Sequence, residues 1–212
     1  STDFDKKADH SYTLFTYEKH LLLWPKNKTS KVIYERLFNL YIKKKDISNS
    51  IRIVEMYIKY YQNKKSSQQA MITKIMDFHI NNNNTADLSI WITKIQNGFL
   101  QFNKSYIEKS MAILGTLLFQ QYQKLENNGQ KELAADGYKK IFFDQKYPLK
   151  IKAQSAFNAA LIYLDLADTD KAYKWIKYSI IEYKVKNKKA LLPKLKVITE
   201  QLALLQDFKR AA

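Results

Sequence analysis

The sequence contains no cysteine, and this absence excludes several kinds of site at once. Disulfide bonds, zinc ribbons, iron–sulfur clusters and thiol nucleophiles all require cysteine side chains. The absence does not decide between a reducing and an oxidising compartment, because a chain without cysteine is compatible with both. Any chemistry of this protein must therefore come from other residue types.

Glycine and proline are scarce, with four and three among 212 residues. All-β folds need many tight turns, and those turns rely on these two residues. Their scarcity therefore disfavours an all-β fold. The hydrophobic content of 46% is ample for a sizeable core in a chain of this length.

Long apolar runs are absent too, since none reaches the ~20 residues that a membrane-spanning helix needs. No signal peptide is visible, but the chain begins with Ser1 rather than Met. We interpret this start as a trimmed or processed end, so a targeting segment can have been lost. The compartment is therefore left open between cytoplasm and periplasm.

The sequence motifs of common enzyme classes are also missing. There is no GxGxxG, P-loop, HExxH or GxSxG pattern. The three histidines, at positions 10, 20 and 79, form no pair with the spacing of metal ligands. We therefore expect a non-enzymatic protein that uses neither a cofactor nor a metal.

Charge is the strongest feature of the composition. Lysine and arginine number 36 against 20 acidic residues, which gives a formal net charge of +16. This balance favours acidic proteins, nucleic acid or an anionic surface as partners. The alternative is a lysine-rich composition that serves solubility. Lysine greatly outnumbers arginine, and arginine forks are the usual specific phosphate readers, so nucleic acid is the less favoured partner.

Helical periodicity runs through the whole chain. Apolar residues recur at helical spacing, and polar clusters separate the segments. The pattern predicts helices over residues 1–24, 31–44, 48–62, 66–80, 86–102, 104–126, 131–146 and 191–209, with two more in 152–184 around the turn at 168–170.

Small side chains are regularly placed in the segment 152–184. They fall at Ala160, Ala172 and Ser179, while Tyr163 and Ile176 are bulky. Two antiparallel helices approach closely only where side chains are small, and bulky residues fill the flanking space. This spacing resembles a tetratricopeptide (TPR) repeat, a helix-turn-helix unit of about 34 residues.

Weaker matches to the same repeat occur earlier in the chain. The pair Leu114–Gly115 resembles the leucine–glycine pair of a first TPR helix, and close approach of the partner helix would explain the glycine. In residues 31–64 Phe38 and Tyr57 are large where small residues are usual, so this repeat is degenerate or packs more openly. The Asn tract 81–84 is the best candidate for a kink.

The resemblance implies one domain over residues 1–212. Its degenerate repeats cover residues 1–106, the better-matched repeats cover 108–184, and a capping helix covers 191–209. The implied fold is an all-α, right-handed α-solenoid of about ten antiparallel helices.

The resemblance also implies a protein–protein interaction scaffold that binds a peptide or protein segment in a concave groove. The first helix of each pair usually lines that groove. The residues predicted to contact the partner, or to pack against the next repeat, are Val32, Asn39, Lys43, Gln154, Phe157, Leu161 and Leu164.

TPR domains that bind a C-terminal carboxylate use lysine and asparagine one turn apart on this first helix. Here Asn39 fits, but Glu35 stands where lysine is expected. We therefore predict an extended or helical segment held by apolar contact, from an acidic or amphipathic partner, with lysine at the rim.

Two alternatives remain open. Residues 170–212 are rich in lysine with interleaved aromatic side chains, a combination that single-stranded nucleic acid uses. The structural interpretation is that Tyr173, Ile176 and Ile180 form a buried stripe while the lysines face water. The Tyr147–Pro148 end of one repeat also resembles bacterial periplasmic and outer-membrane lipoproteins with TPR repeats, which suggests a peripheral envelope component.

Overall fold

A computed structural model describes residues 10–184 and 188–205 of the chain. Over these ranges the secondary structure is entirely helical, so the all-α prediction is confirmed. The helices are α1 His10–Leu23, α2 Lys28–Lys43, α3 Ile47–Tyr60, α4 Lys65–Asn81, α5 Thr85–Gln96, α6 Lys104–Asn127, α7 Lys131–Phe143, α8 Leu149–Asp165, α9 Thr169–Lys184 and α10 Lys188–Leu204.

The helices form two compact units. Unit 1 comprises Ser1–Phe102 with α1 to α5, and unit 2 comprises Asn103–Ala212 with α6 to α10. The division lies near the predicted change from degenerate to better-matched repeats. The Asn tract, the best candidate for a kink, forms the turn between α4 and α5 inside unit 1. Within each unit, helices pack mainly against their neighbours in sequence.

The turns follow from residues that tolerate left-handed backbone. Asn83 has φ 53° and Gly129 has φ 79°, and each follows a helix. The predicted helix over 86–102 is wrong in its end, since α5 stops at Gln96. Gly98 has φ 83°, and the amides of Gly98 and Phe99 donate to the carbonyls of Ile95 and Lys94, which closes the helix. After this turn, Gln101 Oε1 accepts a hydrogen bond from Lys65 Nζ of α4 at 2.7 Å. The segment that follows α5 therefore lies beside α4.

Asparagine and aspartate side chains cap the N-termini of α2, α3 and α5. The capping side chains belong to Asn27, Asp46 and Asn84, which accept from the backbone amides of Thr29, Asn49 and Asp87. Asparagine and aspartate are at least as good at this position as serine and threonine. Ser30 is buried and donates instead to the carbonyl of Trp24.

The interface of α8 and α9 agrees with the small-residue prediction, and it is the most extensive interface between sequential helices of the described residues. Ala160 and Ala172 have no exposed surface, and Ser179 Oγ donates to the carbonyl of Ala153 at 3.2 Å. Ala153 lies seven residues before Ala160, and Ser179 lies seven after Ala172. In an antiparallel pair this register places Ala160 opposite Ala172.

Glycines mark two further close approaches in unit 2. A Cβ on Gly115 would lie 3.0 Å from Tyr147 Cδ1 and 3.2 Å from Ile151 Cδ1. The predicted partner of Gly115 was the other helix of its own pair, and this is wrong, because the close atoms belong to Tyr147 just before α8 and to Ile151 in its first turn. The close approach of α6 and α7 is at Gly137, where a Cβ would overlap the ring of Tyr122.

The core of unit 1 is built from tyrosine rings rather than small residues. Tyr34 and Tyr57 are fully buried and meet edge to face, with ring centroids 6.1 Å apart, and Tyr61 lies 5.9 Å from Tyr34. Phe38 and Tyr57 are large where the repeat usually has small residues. They are nonetheless part of this core, so their bulk fills space between the helices.

The two terminal helices differ from prediction. On α1 the apolar residues Tyr12, Phe15, Leu22 and Leu23 are exposed, and Leu21 is buried. Helix α10 begins at Lys188 rather than at the predicted residue 191, so Pro193 lies inside it. Its predicted end at residue 209 lies outside the described residues. Ile198 and Leu202 of α10 are buried, whereas Leu205 is 38% exposed.

Replacing Ala160 or Ala172 with leucine should destabilise unit 2 by about 1–3 kcal/mol or more, because added methyl groups overpack a close crossing. Ser179→Ala keeps the small size and loses one hydrogen bond, so it should cost only about 0.5–1.5 kcal/mol. Urea denaturation followed by circular dichroism measures both. A leucine variant as stable as the wild type would contradict this close crossing.

Gly137→Ala should destabilise unit 2 by about 1–3 kcal/mol through its clash with the Tyr122 ring, despite the better helix propensity of alanine. Gly115→Ala is the matched control. Its Cβ meets the ends of two side chains, so we expect a change within about 1 kcal/mol of the wild type. Equal stabilities for the two variants in urea would argue against the α6–α7 contact at Gly137.

His79 makes the stability of unit 1 depend on pH. It is 1% exposed, and neither ring nitrogen has a hydrogen-bond partner among the described residues. Burial lowers the pKa of His79, while Asp87, with Oδ2 3.8 Å from Nδ1, acts in the opposite direction. The unfolded chain, with a histidine pKa of about 6.5, therefore takes up the proton first as the pH falls.

Unit 1 should thus keep full stability above about pH 6.5 and lose up to about 1.4 kcal/mol per pH unit below it. His79→Leu should lack this component when urea denaturation is repeated between neutral and mildly acidic pH. His20→Gln is the control and should retain it. If His79→Leu and the wild type lose stability in parallel, the buried neutral imidazole is not the cause.

Candidate functional site

The principal candidate site is a groove between the first helices of two consecutive pairs in unit 1. We call it the α2–α4 groove, and it encloses about 210 Å³. Its lining residues are Glu35, Phe38 and Asn39 on α2, with Ser67, Ala70, Met71 and Lys74 on α4. On each helix the second and third of these positions lie three and four residues after the first, and Lys74 follows one turn later, so they share one face.

The floor of the α2–α4 groove is apolar, and its rim is polar. Phe38 and Met71 are buried, whereas Asn39, Ala70 and Lys74 are exposed. Lys74 Nζ donates to Asn39 Oδ1 at 2.8 Å, which joins the two helices across the rim. An apolar floor with convergent polar groups suits a side chain of a bound segment.

Glu35 is held on the α2 side of the groove by a buried phenol. The Tyr57 hydroxyl donates to Glu35 Oε1 at 3.0 Å, and Lys31 Nζ lies 3.9 Å from the same oxygen. Burial, together with the neighbouring Glu35, raises the pKa of Tyr57 to about 12. Tyr57 is therefore a neutral donor at physiological pH and fixes the carboxylate at one edge of the groove.

The structure places three of the predicted contact residues on one stripe of α2. Val32, Asn39 and Lys43 are all exposed, and Asn39 lines the groove. Sequence reasoning missed Lys74, the partner of Asn39. It lies 35 residues after Asn39, close to the period of about 34 residues in the predicted repeat, so that predicted period was the signal that could have found it.

The other four predicted contacts lie on α8 in unit 2. Phe157 and Leu164 are buried, and Lys194 Nζ of α10 lies 3.9 Å from the Phe157 ring centroid. Burial lowers the pKa of Lys194. Phe157 and Leu164 therefore have little surface for a partner, and Phe157 packs against the next helix, which was the other prediction for these residues.

Gln154 and Leu161 are half-buried, and Leu161 lines a second cavity of about 230 Å³. This cavity is lined by residues of α6, α8 and α10 together with Lys131 at the start of α7. Its polar side contains Glu126, which accepts from the Tyr138 hydroxyl at 3.0 Å, and the ion pair of Lys131 with Asp165. Most of its charged groups are thus already paired within unit 2.

Two aromatic residues of α9 pack against α7. Trp175 and Tyr178 lie 5.3 Å and 5.2 Å from the Phe142 ring, and Trp175 is 5% exposed. Of the predicted stripe, Ile176 is buried, whereas Tyr173 and Ile180 are half-buried. These contacts favour the structural interpretation of the basic, aromatic segment over a row of base-stacking platforms.

No helix within residues 10–184 and 188–205 combines the length and the apolar content that crossing a bilayer requires.

Comparison with known proteins gives no family. No protein-family model matches the chain, and no curated protein does. Among solved structures, the chain is similar to BtubC (BKLC) from P. vanneervenii at 13% identity, over 100% of this chain and 87% of that chain. The TM-score is 0.34, which is too low to carry an argument about fold or function.

Proposed function

We propose that the chain is a TPR-like helical repeat protein that acts as a non-enzymatic scaffold. Its proposed ligand is a peptide or protein segment, and the α2–α4 groove of unit 1 is the proposed binding site. The observation that carries the proposal is the lining of this groove by first helices of consecutive pairs, with Asn39 at its rim. The close pairing of α8 and α9 around small residues supports the repeat assignment.

The chemistry of the groove selects the ligand. Phe38 and Met71 are almost fully buried and close the base of the groove, and its space of about 210 Å³ accommodates one or two side chains of a bound segment. Lys74 stands at the rim, and Lys43 is exposed further along α2. With a net charge of +16, the protein attracts negatively charged segments from a distance. An acidic, amphipathic segment satisfies both conditions.

The test is binding of peptides of about 15 residues, which form about four helical turns. An array of acidic amphipathic, basic amphipathic and scrambled peptides should show binding to the acidic amphipathic set. Binding should weaken between about 50 mM and about 500 mM salt, because salt screens the attraction between the lysines and the acidic groups of the peptide. Absence of binding to every peptide at both salt concentrations would overturn the proposal.

Ala70→Trp should weaken binding at least about tenfold, a loss of about 1.4 kcal/mol or more, because the indole fills the groove without changing charge. Ala86→Trp, at an exposed position of α5, is the matched control and should bind like the wild type. Lys74→Glu should weaken acidic peptides and spare neutral ones. If Ala70→Trp binds as tightly as Ala86→Trp, the binding site lies elsewhere.

A filter-binding titration with single-stranded DNA tests the alternative function. Retention that falls steeply with salt would favour a nucleic-acid-binding protein. Under our proposal, DNA is not retained more tightly than the acidic peptides.

A further inference from the structure

A second surface of unit 1 has the character of an interface, and it is separate from the α2–α4 groove. On α1, every side chain along one arc of about 120° is exposed, as the 100° step per residue shows. We call this arc the α1 outer face, and it consists of Tyr12, Phe15, Thr16, Lys19, Leu22 and Leu23. Leu22 is 79% exposed and Tyr12 is 77% exposed.

The rotation of α1 about its axis is fixed by contacts on the opposite side. Leu21 is buried, and Glu18 accepts from the Tyr41 hydroxyl of α2 at 2.7 Å. Glu18 also pairs with Arg52 of α3. A rotation of α1 that buried the outer face would break these contacts of Glu18 and expose Leu21. The apolar residues of the outer face therefore point outward.

Leaving these side chains in water is costly. Burying a large apolar side chain is favourable relative to leaving it exposed, because apolar surface is removed from water. The solvent-facing side of a helix in a globular protein is normally polar. The α1 outer face instead consists mainly of tyrosine, phenylalanine and two leucines, and Trp24 next to it is 54% exposed.

The length and spacing of the α1 outer face fit one helix of a partner. Helix α1 has 14 residues, which corresponds to a length of about 21 Å. Tyr12, Phe15 and Leu22 recur at intervals of three and seven residues, which is the spacing of a helix–helix seam. An amphipathic helix of similar length could cover the whole arc.

Charge identifies the kind of helix. Lys19 is the charged residue of the arc, and its Nζ lies 5.7 Å from the Phe15 ring centroid. The acidic residue nearest to it in sequence, Glu18, is engaged with Tyr41 and Arg52. A partner helix that buries the leucines must therefore provide a carboxylate opposite Lys19.

A second copy of this chain is disfavoured by the same charges. In an antiparallel pair of α1 helices centred on the arc, the two Lys19 side chains would lie within about one helical turn of each other. Each copy also has a net charge of +16, which opposes association.

We propose that the α1 outer face docks an acidic amphipathic helix of a partner protein, with its leucine-type residues on Tyr12, Phe15 and Leu22 and a carboxylate on Lys19. This surface does not depend on the groove of the proposed function. Trp24 provides a direct signal for the interaction, since Trp91 and Trp175, the other two tryptophans, are buried.

The probe is a synthetic helical peptide with leucine along one face and glutamate on its flanks, and the comparison peptide has lysine in place of glutamate. The glutamate peptide should shift the tryptophan emission to shorter wavelength and bind at least about tenfold more tightly than the lysine peptide. Phe15→Glu and Leu22→Glu should abolish this response, and Lys19→Glu should reverse the preference between the peptides.

Three controls separate this surface from others. Ile181→Glu alters an exposed apolar residue of unit 2 and should leave binding unchanged. Ala70→Trp blocks the α2–α4 groove and should also leave it unchanged, so this inference and the proposed function can fail independently. Far-UV circular dichroism should show wild-type helicity for every variant, because each altered side chain is exposed.

Several results would overturn the proposal. In one such result, the tryptophan emission of the wild type does not respond to the glutamate peptide. In another, Leu22→Glu binds this peptide as tightly as the wild type does. Sedimentation showing a dimer that Leu22→Glu dissociates would assign the face to a second copy. Binding that appears only after removal of residues 1–9 would assign it to the chain's own N-terminal segment.

Discussion

Two helices approach to backbone distance only where their facing side chains are small, and unit 2 depends on this constraint between α8 and α9. Ala160 and Ala172 are fully buried, and Ser179 donates to the carbonyl of Ala153 on the opposite helix. The close crossing lets α8 be buried on nearly all sides, so that α7, α9 and α10 can all pack against it. A bulky residue at the crossing would therefore disturb several contacts of unit 2 together.

In unit 1 the helices pack through large residues instead of small ones. Tyr34, Tyr57 and Tyr61 meet through ring edges and faces, and burial raises the pKa of Tyr57 to about 12, so its hydroxyl remains a donor. That hydroxyl is bonded to Glu35, at the edge of the α2–α4 groove. The aromatic core and the groove are thus linked through one hydrogen bond, which holds the Glu35 carboxylate in place at the edge of the groove.

The two surfaces proposed for binding share one chemistry. The α2–α4 groove combines Phe38 and Met71 with Lys74 at the rim, and the α1 outer face combines exposed aromatic and leucine side chains with Lys19. Each would bury apolar side chains of a partner and place a carboxylate near a lysine. In a chain of net charge +16, this arrangement favours acidic, amphipathic segments over neutral ones and makes association sensitive to salt.

Local features of the sequence were sufficient for the helical class, for most helix bounds, for the turn at Asn83 and for the small-residue crossing at Ala160 and Ala172. Each of these depends on residues close in sequence or on one helix paired with the next. Tertiary structure alone decided that Lys74 meets Asn39, that Phe157 lies beneath Lys194, and that the apolar residues of α1 face outward. Periodicity shows which residues share a face of a helix, but only the neighbouring helices determine whether that face is covered.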